Sequence, residues 1–337
     1  MTDVAPPLDV VCMGETLVDF LPAESGRRVR EVSSWSPCIG GSLANVSVGL
    51  ARLGARSGLV SVLGSDEFGH LLRERLAAEG VDVSHVRQTK EARTGLVFIS
   101  LDAKGERSFT YFRTRSAELL LGEQDVHPEF LARTRVLHWG SNSLHLLEAR
   151  TAMERALERV RGAGGIIHCD PNLRLHAWAD PSEAKRVLHH LLPLCHVVKI
   201  SEEEMPIVTG SSSVREAIDF LLGLGISLPV VTLGEKGAAF SWKGEIIHVS
   251  APPARVLDTT GAGDGFVAAM LYGLTRRYTD AHSLRGATLQ SITELVSFAC
   301  VVGSRVVERL GAVAGLPLAA EVLEHMPVDL RPSSPTA

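Results

Sequence analysis

The sequence predicts an α/β fold: a three-layer, mostly parallel sheet with helices on both faces, plus a small β lid. Three observations carry this expectation. Short apolar strands alternate with amphipathic helices along most of the chain. The strands are almost continuously apolar, as strands covered on both faces must be. Two stretches, Asp19 to Trp35 and Thr94 to Phe112, break the alternation and read as paired strands.

The first strand is Val10-Val11-Cys12-Met13-Gly14, and Gly58 to Leu63 is another. Between them Leu43, Val46, Leu50 and Leu53 recur at helix spacing, and Gly54 closes that helix. Asp66 caps a helix over Glu67 to Glu79, with Phe68, Leu71, Leu72, Leu76 and Ala77 facing inward and Gly80 at its end. The second broken stretch joins Leu96 to Leu101 with Arg107 to Phe112 through a turn at Asp102 to Glu106. The alternative to a lid is a hairpin that extends the main sheet at its edge. Strand Val136 to Trp139, helix Glu148 to Arg161, strand Gly165 to Cys169, helix Ser182 to Leu192 and strand Val197 to Ile200 follow. Helices over Ser201 to Thr209 and Val214 to Leu224, then strand Pro229 to Leu233, continue the pattern. A hairpin, Gly237 to Trp242 with Glu245 to Val249, precedes an apolar helix from Phe266 to Leu274. Tyr278 to Thr288 is a polar break before a helix over Leu289 to Val302, and the Pro- and Ser-rich tail beyond Pro327 is expected to be disordered.

At 337 residues and 45% hydrophobic content, the chain can bury one large α/β core or two ordinary ones. A net charge of -5, spread over mixed-sign helices without a basic block, argues against nucleic-acid partners. The cysteines, Cys12, Cys38, Cys169, Cys195 and Cys300, are widely spaced with no Cys-x-x-Cys pair, so buried free thiols are expected rather than disulfides or zinc ligands. Met1 to Pro7 lacks the pattern of a signal peptide, and no apolar run approaches the roughly 18 residues of a membrane helix. A cytoplasmic protein without a membrane partner is the expectation.

The chemistry concentrates in Asp258-Thr259-Thr260-Gly261-Ala262-Gly263-Asp264, where small residues and a carboxylate precede the apolar helix. Amides of a helix's first turn are unpaired and form an anion site. Glycines at Gly261 and Gly263 let a phosphate approach the backbone, and Asp264 beside it is a potential base. Two blander readings stand beside this one: Asp264 as a simple N-cap, or a dinucleotide-binding turn, although Gly-x-Gly-x-x-Gly spacing is absent. Neither a Gly-x-x-x-x-Gly-Lys-Ser/Thr loop nor a His-Arg-Asp catalytic loop occurs, so a third nucleotide-binding architecture is required.

This segment resembles the C-terminal signature of the ribokinase-like (PfkB-type) carbohydrate kinases, Asp-Thr-x-Gly-Ala-Gly-Asp. Gly40-Gly41-Ser42-Leu43-Ala44-Asn45 resembles their N-terminal signature, and Gly14-Glu15-Thr16-Leu17-Val18-Asp19 their first strand. The resemblance spans about Val10 to Gly315. It implies one domain over residues 1–330, with lid segments 19–35 and 94–112 inserted and a disordered tail at 331–337. It implies that Asp264 is the base and that the amides of Gly261, Ala262 and Gly263 form the anion hole. Sugar contacts would come from Asp19, Gly40, Gly41, Asn45, Arg113 and Arg174. ATP contacts would come from Lys199, Ser201, Glu204, Thr232, Gly234 and Gly237, with Glu204 orienting Mg2+ through water. Asp258 and main-chain carbonyls at Thr260, Val306, Arg309 and Gly311 would hold a monovalent cation, K+.

Each position also has a structural reading. Asp19 could be a strand-end turn residue, and Gly40-Gly41 a plain helix start with a polar first turn. Gly64 to Gly69 fits a family turn but reads as helix capping. Arg174 could be a surface residue paired with Asp180 or Glu183. Ser201-Glu202-Glu203-Glu204 is also a capping box, with serine where the family usually has asparagine. Within the family, Asp170-Pro171-Asn172-Leu173-Arg174, the Ser201 segment and Tyr111-Phe112-Arg113 with Ser116-Ala117-Glu118 most resemble bacterial fructokinases, despite Ile39 and Arg115 where those often carry proline. That resemblance implies phosphorylation of D-fructose to fructose 6-phosphate, and pairing of two copies through the lid. A 2-keto-3-deoxygluconate kinase, which shares both arginine motifs, is the alternative substrate reading. A catalytically silent sugar-binding or regulatory protein is the alternative of another kind.

Overall fold

Four consecutive apolar residues with no exposed surface, Val10–Met13 (β1), can be satisfied only by strands on both sides, and β1 pairs in parallel with Ser57–Gly64 (β4) and Val136–Trp139 (β8). The computed structural model describes residues 7–332, apart from residues 25, 102–106 and 179. The remaining strands are Leu17–Pro22 (β2), Trp35–Gly40 (β3), Val86–Thr89 (β5), Leu96–Leu101 (β6), Arg107–Phe112 (β7), Ile166–Cys169 (β9), Val197–Ser201 (β10), Leu228–Thr232 (β11), Ala238–Trp242 (β12) and Glu245–Val249 (β13). Nine of them form one sheet in the order β13-β12-β11-β10-β9-β8-β1-β4-β5, antiparallel only at the β11-β12-β13 edge.

Helices cover both faces. Ser42–Leu53 (α1), Ala262–Arg277 (α6) and Leu289–Val306 (α7) pack on one, with Leu43, Leu50, Met270, Tyr272 and Phe298 in its core. Leu147–Gly162 (α3), Pro181–Leu191 (α4) and Val214–Gly223 (α5) cover the other, around Trp139, Met153, Leu188 and Leu221. The helix Glu67–Ala78 (α2) starts as the sequence predicts. Asp66 accepts from the amides of Phe68 and Gly69, a cap worth about 1 kcal/mol. The same carboxylate accepts from the Thr94 amide and hydroxyl, so it also anchors the approach to β6. Gly54, at φ 95°, closes α1.

The two broken stretches do not extend the main sheet. They form a separate four-stranded sheet, β3-β2-β6-β7, in which β2 and β6 run parallel. The strand boundaries differ from expectation in the first stretch: β2 begins at Leu17, and its partner runs from Trp35 to Gly40, with a short 3-10 turn at Val29–Glu31 between. Three other expectations are corrected. Ser201 ends β10, and the helix expected from it is a single turn, Met205–Val208, because the Glu204 side chain folds back onto the strand end. Helix α7 runs on to Val306, and the polar break before it contains a short helix, Ala281–Arg285. The segment after Pro327 is held as far as Leu330, whose side chain is fully buried and whose carbonyl accepts from Tyr272 at 2.7 Å. The expected turn at 102–106 and residues 333–337 lie outside the described residues. Among the described residues no helix is long and apolar enough to cross a membrane.

Candidate active site

Strand order reverses beside β1: the chain moves outward to β4 and β5, then returns to β8 on the other side. A crevice opens at the carboxyl ends of strands at such a switch point. Glu15 and Asp170 lie just beyond those ends of β1 and β9, Lys199 projects from within β10 to Asp170, and the N-terminus of α6 lies in the same region.

Helix α6 starts there because Gly261 takes a left-handed conformation at φ 81° and ten successive residues from Gly265 to Leu274 are buried. A Cβ on Gly261 would also lie 2.7 Å from the Ala312 side chain. Asp258 pins the preceding loop. One carboxylate oxygen accepts from the Thr260 amide and hydroxyl at 2.9 and 2.7 Å, and the other from the Gly311 amide at 2.7 Å. Gly311 in turn lies against Leu21 of the small sheet.

The Asp264 carboxylate is buried and held at both oxygens. Ser42 Oγ donates to Oδ1 at 2.6 Å, and Asn45 Nδ2 donates to Oδ2 at 2.8 Å. Both donors come from the first turn of α1, which follows the glycine pair. At Gly40 a Cβ would sit 2.4 Å from the Asp19 carboxyl carbon, and at Gly41, with φ 93°, it would sit 2.6 Å from the Glu15 carbonyl oxygen. The glycines therefore let Asp19 and the α1 N-terminus crowd together beside Asp264. Burial, and then the negative charge of Asp264, push Asp19 up to about 7, against the pull of Arg113.

On the other side of Asp264, Lys199 Nζ donates to Asp170 Oδ2 at 2.8 Å, and both are buried. Burial opposes the lysine charge, but the Asp170, Glu204 and Asp264 carboxylates outweigh it and raise its pKa above the ordinary value. A Cβ on Gly263 would lie 3.3 Å from this ammonium, so Lys199 sits beside the first turn of α6. Glu204 accepts from the amides of Leu173 and Ser201 at 2.7 and 2.8 Å, and its own amide donates to Ser201 Oγ at 3.3 Å. The capping box thus forms, and it ties the loop after β9 to the end of β10.

The two candidate arginines differ. Arg113 is engaged: Nε donates to Glu118 at 2.9 Å and Nη2 to the Asn142 carbonyl at 3.2 Å. Arg174 is exposed and hydrogen-bonded to Tyr111 of the small sheet. It is no surface ion pair with Asp180 or Glu183, which bind Arg186 and Arg150. Thr232 lies beside Ser201 in the sheet register, and Gly234 and Gly237 follow in the turn after it. Gly237, at φ 98°, is required for hairpin closure, since a Cβ there would lie 2.0 Å from the Val249 carbonyl oxygen. Val306 ends α7, the Arg309 side chain turns to Glu321, and the Val307 carbonyl accepts from the amides of Leu257 and Asp258 at 2.8 and 3.2 Å.

The sequence motifs assign no role to Ser42, Glu15 or Asp170, the partner of Lys199. Asn45, for which the resemblance implies a sugar contact, donates to Asp264. Beneath Asp170, His138 and His168 share a 2.9 Å contact between Nδ1 atoms, and burial pulls both below the ordinary histidine value.

Residues 7–319 match the pfkB family carbohydrate kinase. The chain is 37% identical over 315 residues to Fructokinase-2 of Solanum habrochaites, covering 93% of this chain and 94% of that protein. It is 36% identical to a fructokinase of Klebsiella pneumoniae, with 90% and 95% covered. Among solved structures, fructokinase of Xylella fastidiosa with bound ATP superposes with a TM-score of 0.86 at 30% identity, over 94% of this chain and 97% of that one. Fructokinase of Vibrio cholerae O395 bound to fructose, ADP and calcium superposes with a TM-score of 0.84 at 33% identity, over 95% and 99%. Two glycine signatures, the reversal of strand order and these likenesses agree: the chain belongs to the pfkB family of carbohydrate kinases.

Proposed function

We propose that the protein transfers the γ-phosphoryl group of ATP to the terminal hydroxyl of a neutral ketose, converting D-fructose to fructose 6-phosphate. The observation that carries the neutral-sugar reading is the charge around the acceptor space. Asp19 and Asp264 are close enough for one to raise the pKa of the other, and Arg113 is already engaged by Glu118. Two carboxylates and one remaining arginine, Arg174, suit a polyol better than a sugar acid, which paired guanidinium groups would bind.

In this reading Asp19 accepts hydrogen bonds from sugar hydroxyls, and Asp264 takes the proton of the attacking hydroxyl. A bond forms between that oxygen and the γ-phosphorus, the bond from the γ-phosphorus to the β,γ-bridging oxygen breaks, and ADP leaves. The amides of Gly261, Ala262 and Gly263 meet charge on the transferred group. Lys199 supports an anion there on independent grounds. Asp170 holds the Lys199 ammonium beside Gly263, so an anion received by these amides would also meet a fixed positive charge. Serine at 201 and Thr232, with Gly234 and Gly237, line the nucleotide side, and the small sheet, segments 19–35 and 94–112, serves as the lid.

The residues suit a magnesium ion carried by nucleotide phosphates and reached through water. Among the described residues no cluster of His, Cys, Asp or Glu is arranged to cage a metal, and Glu204 keeps lone pairs beyond those its two amide contacts use. When bound, it supplies charge neutralisation on the phosphates. For K+, Asp258 already ties both sides of the anion-hole loop together, and carbonyls at Thr260, Val306, Arg309 and Gly311 would complete a cation site. Rates should be higher in potassium than in sodium at matched ionic strength, and equal rates would remove the cation. The direct test of the whole reading is ADP release on adding D-fructose to protein with MgATP, with fructose 6-phosphate as the product.

A further inference from the structure

The residue at the first position of α1, Ser42, is buried, and nothing in the reading above gives it a task. A serine there commonly turns its hydroxyl to its own helix or to water. Here Gly41 occupies the N-cap and has no side chain to offer the helix, and the Ser42 hydroxyl crosses to a residue 222 positions away, donating to Asp264 Oδ1 at 2.6 Å. Its main chain is fixed from the opposite side. The Ser42 amide, one of the unpaired donors at the start of α1, donates to Glu15 Oε1 at 3.2 Å. Glu15 is itself buried at the end of β1, and the same oxygen lies 3.4 Å from Asn142 Nδ2. The absence of a Cβ at Gly41 permits this approach, because any side chain there would meet the Glu15 main chain.

A line of contacts thus runs from the central strand through Glu15 and the Ser42 main chain to the Ser42 hydroxyl and then to Asp264. Asn45 holds the other carboxylate oxygen from one turn further along the same helix. Two donors on one rigid helix, one to each oxygen, fix both the position and the plane of the carboxylate. One donor alone would leave it free to rotate about its last bond.

We infer that Ser42 is a positioning residue for the phosphoryl-transfer base: anchored by Glu15, its hydroxyl sets the plane of the Asp264 carboxylate so that a free lone pair meets the acceptor hydroxyl. The inference rests on Asp264 being the base. Its consequence is specific to turnover, because a misaligned base slows proton transfer while the groups that bind sugar and nucleotide stay in position.

The test compares wild type, Ser42→Ala, Ser42→Thr, Asp264→Asn and the double variant Ser42→Ala/Asp264→Asn, measuring kcat, both KM values and the melting temperature. Ser42→Ala should lower kcat about tenfold to a hundredfold, with both KM values within about threefold of wild type. Ser42→Thr, which keeps the hydroxyl, should recover most of the loss. In the Asp264→Asn background Ser42→Ala should change the residual rate by less than about twofold, since no base remains to align. Wild-type kcat in Ser42→Ala, or an equal loss in both backgrounds, would overturn the inference. Should folding of Ser42→Thr be impaired, the cycle of the alanine variant with Asp264→Asn decides alone. Full turnover by folded Asp264→Asn is a different outcome, which removes the base itself and the inference with it.

Discussion

Where α1 and the small sheet approach α6, charged groups are fixed by other side chains before any substrate arrives: Asp264 by Ser42 and Asn45, and Arg113 by Glu118. Past Lys199 and Glu204, where β11 runs into the turn at Gly234, the candidate contacts are main-chain groups and small residues, and Val256 and Leu257 on the approach to α6 are largely exposed. Proton transfer, the task proposed for Asp264, tolerates little misplacement, and a preorganised polar network suits it. A nucleotide brings its own charge, planarity and metal, so the surface that receives it can consist of amides and apolar side chains.

The contrast can be broken most severely at the base. Asp264→Asn should lower kcat roughly 10²-fold to 10⁴-fold while the KM values change little, because the amide keeps the shape but cannot accept the proton. The next effect in size belongs to Lys199. Replacing it with methionine, together with Asp170→Asn so that no buried carboxylate is orphaned, should cost about 10²-fold in kcat, measured with saturating sugar and ATP. A loss confined to protein stability would return Lys199 to a structural role. The smallest effect comes from Asp19, whose pKa is raised to about 7. Below that pH it is mostly protonated and accepts hydrogen bonds less strongly; above it, the carboxylate is charged. The sugar KM should therefore fall about threefold to tenfold between pH 6 and pH 8, and Asp19→Asn should flatten that dependence.

Much of this was legible because it rests on local pattern. Four apolar residues at Val10–Met13 demand a central strand, and Asp66 before an amphipathic run demands a helix start. Gly261 and Gly263 before an apolar run announce the helix start found at Gly261, where the proposed anion site lies. The misreadings arose where local chemistry has two outcomes. Ser201-x-x-Glu204 is a capping box in sequence, and its hydrogen bonds form, yet they close a turn on the end of β10 before a helix of only one turn. Pro- and Ser-rich composition hid the anchoring of Leu330 in the core. What the sequence could not yield at all was partnership across distance. Ser42 looks like any polar residue in a first turn, and Lys199 like a lone charge in an apolar strand. Their partners, Asp264 and Asp170, are brought to them only by the sheet order.

The reading of a neutral acceptor between Asp19 and Asp264, with Arg113 withdrawn to Glu118, is tested most directly by kcat/KM for D-fructose against 2-keto-3-deoxygluconate in the same buffer with MgATP. Fructose should be preferred by at least about tenfold, equivalent to roughly 1.4 kcal/mol of differential transition-state binding. A tenfold preference for the sugar acid would contradict the account, because it would require Arg113 to leave Glu118 and join Arg174 on a carboxylate.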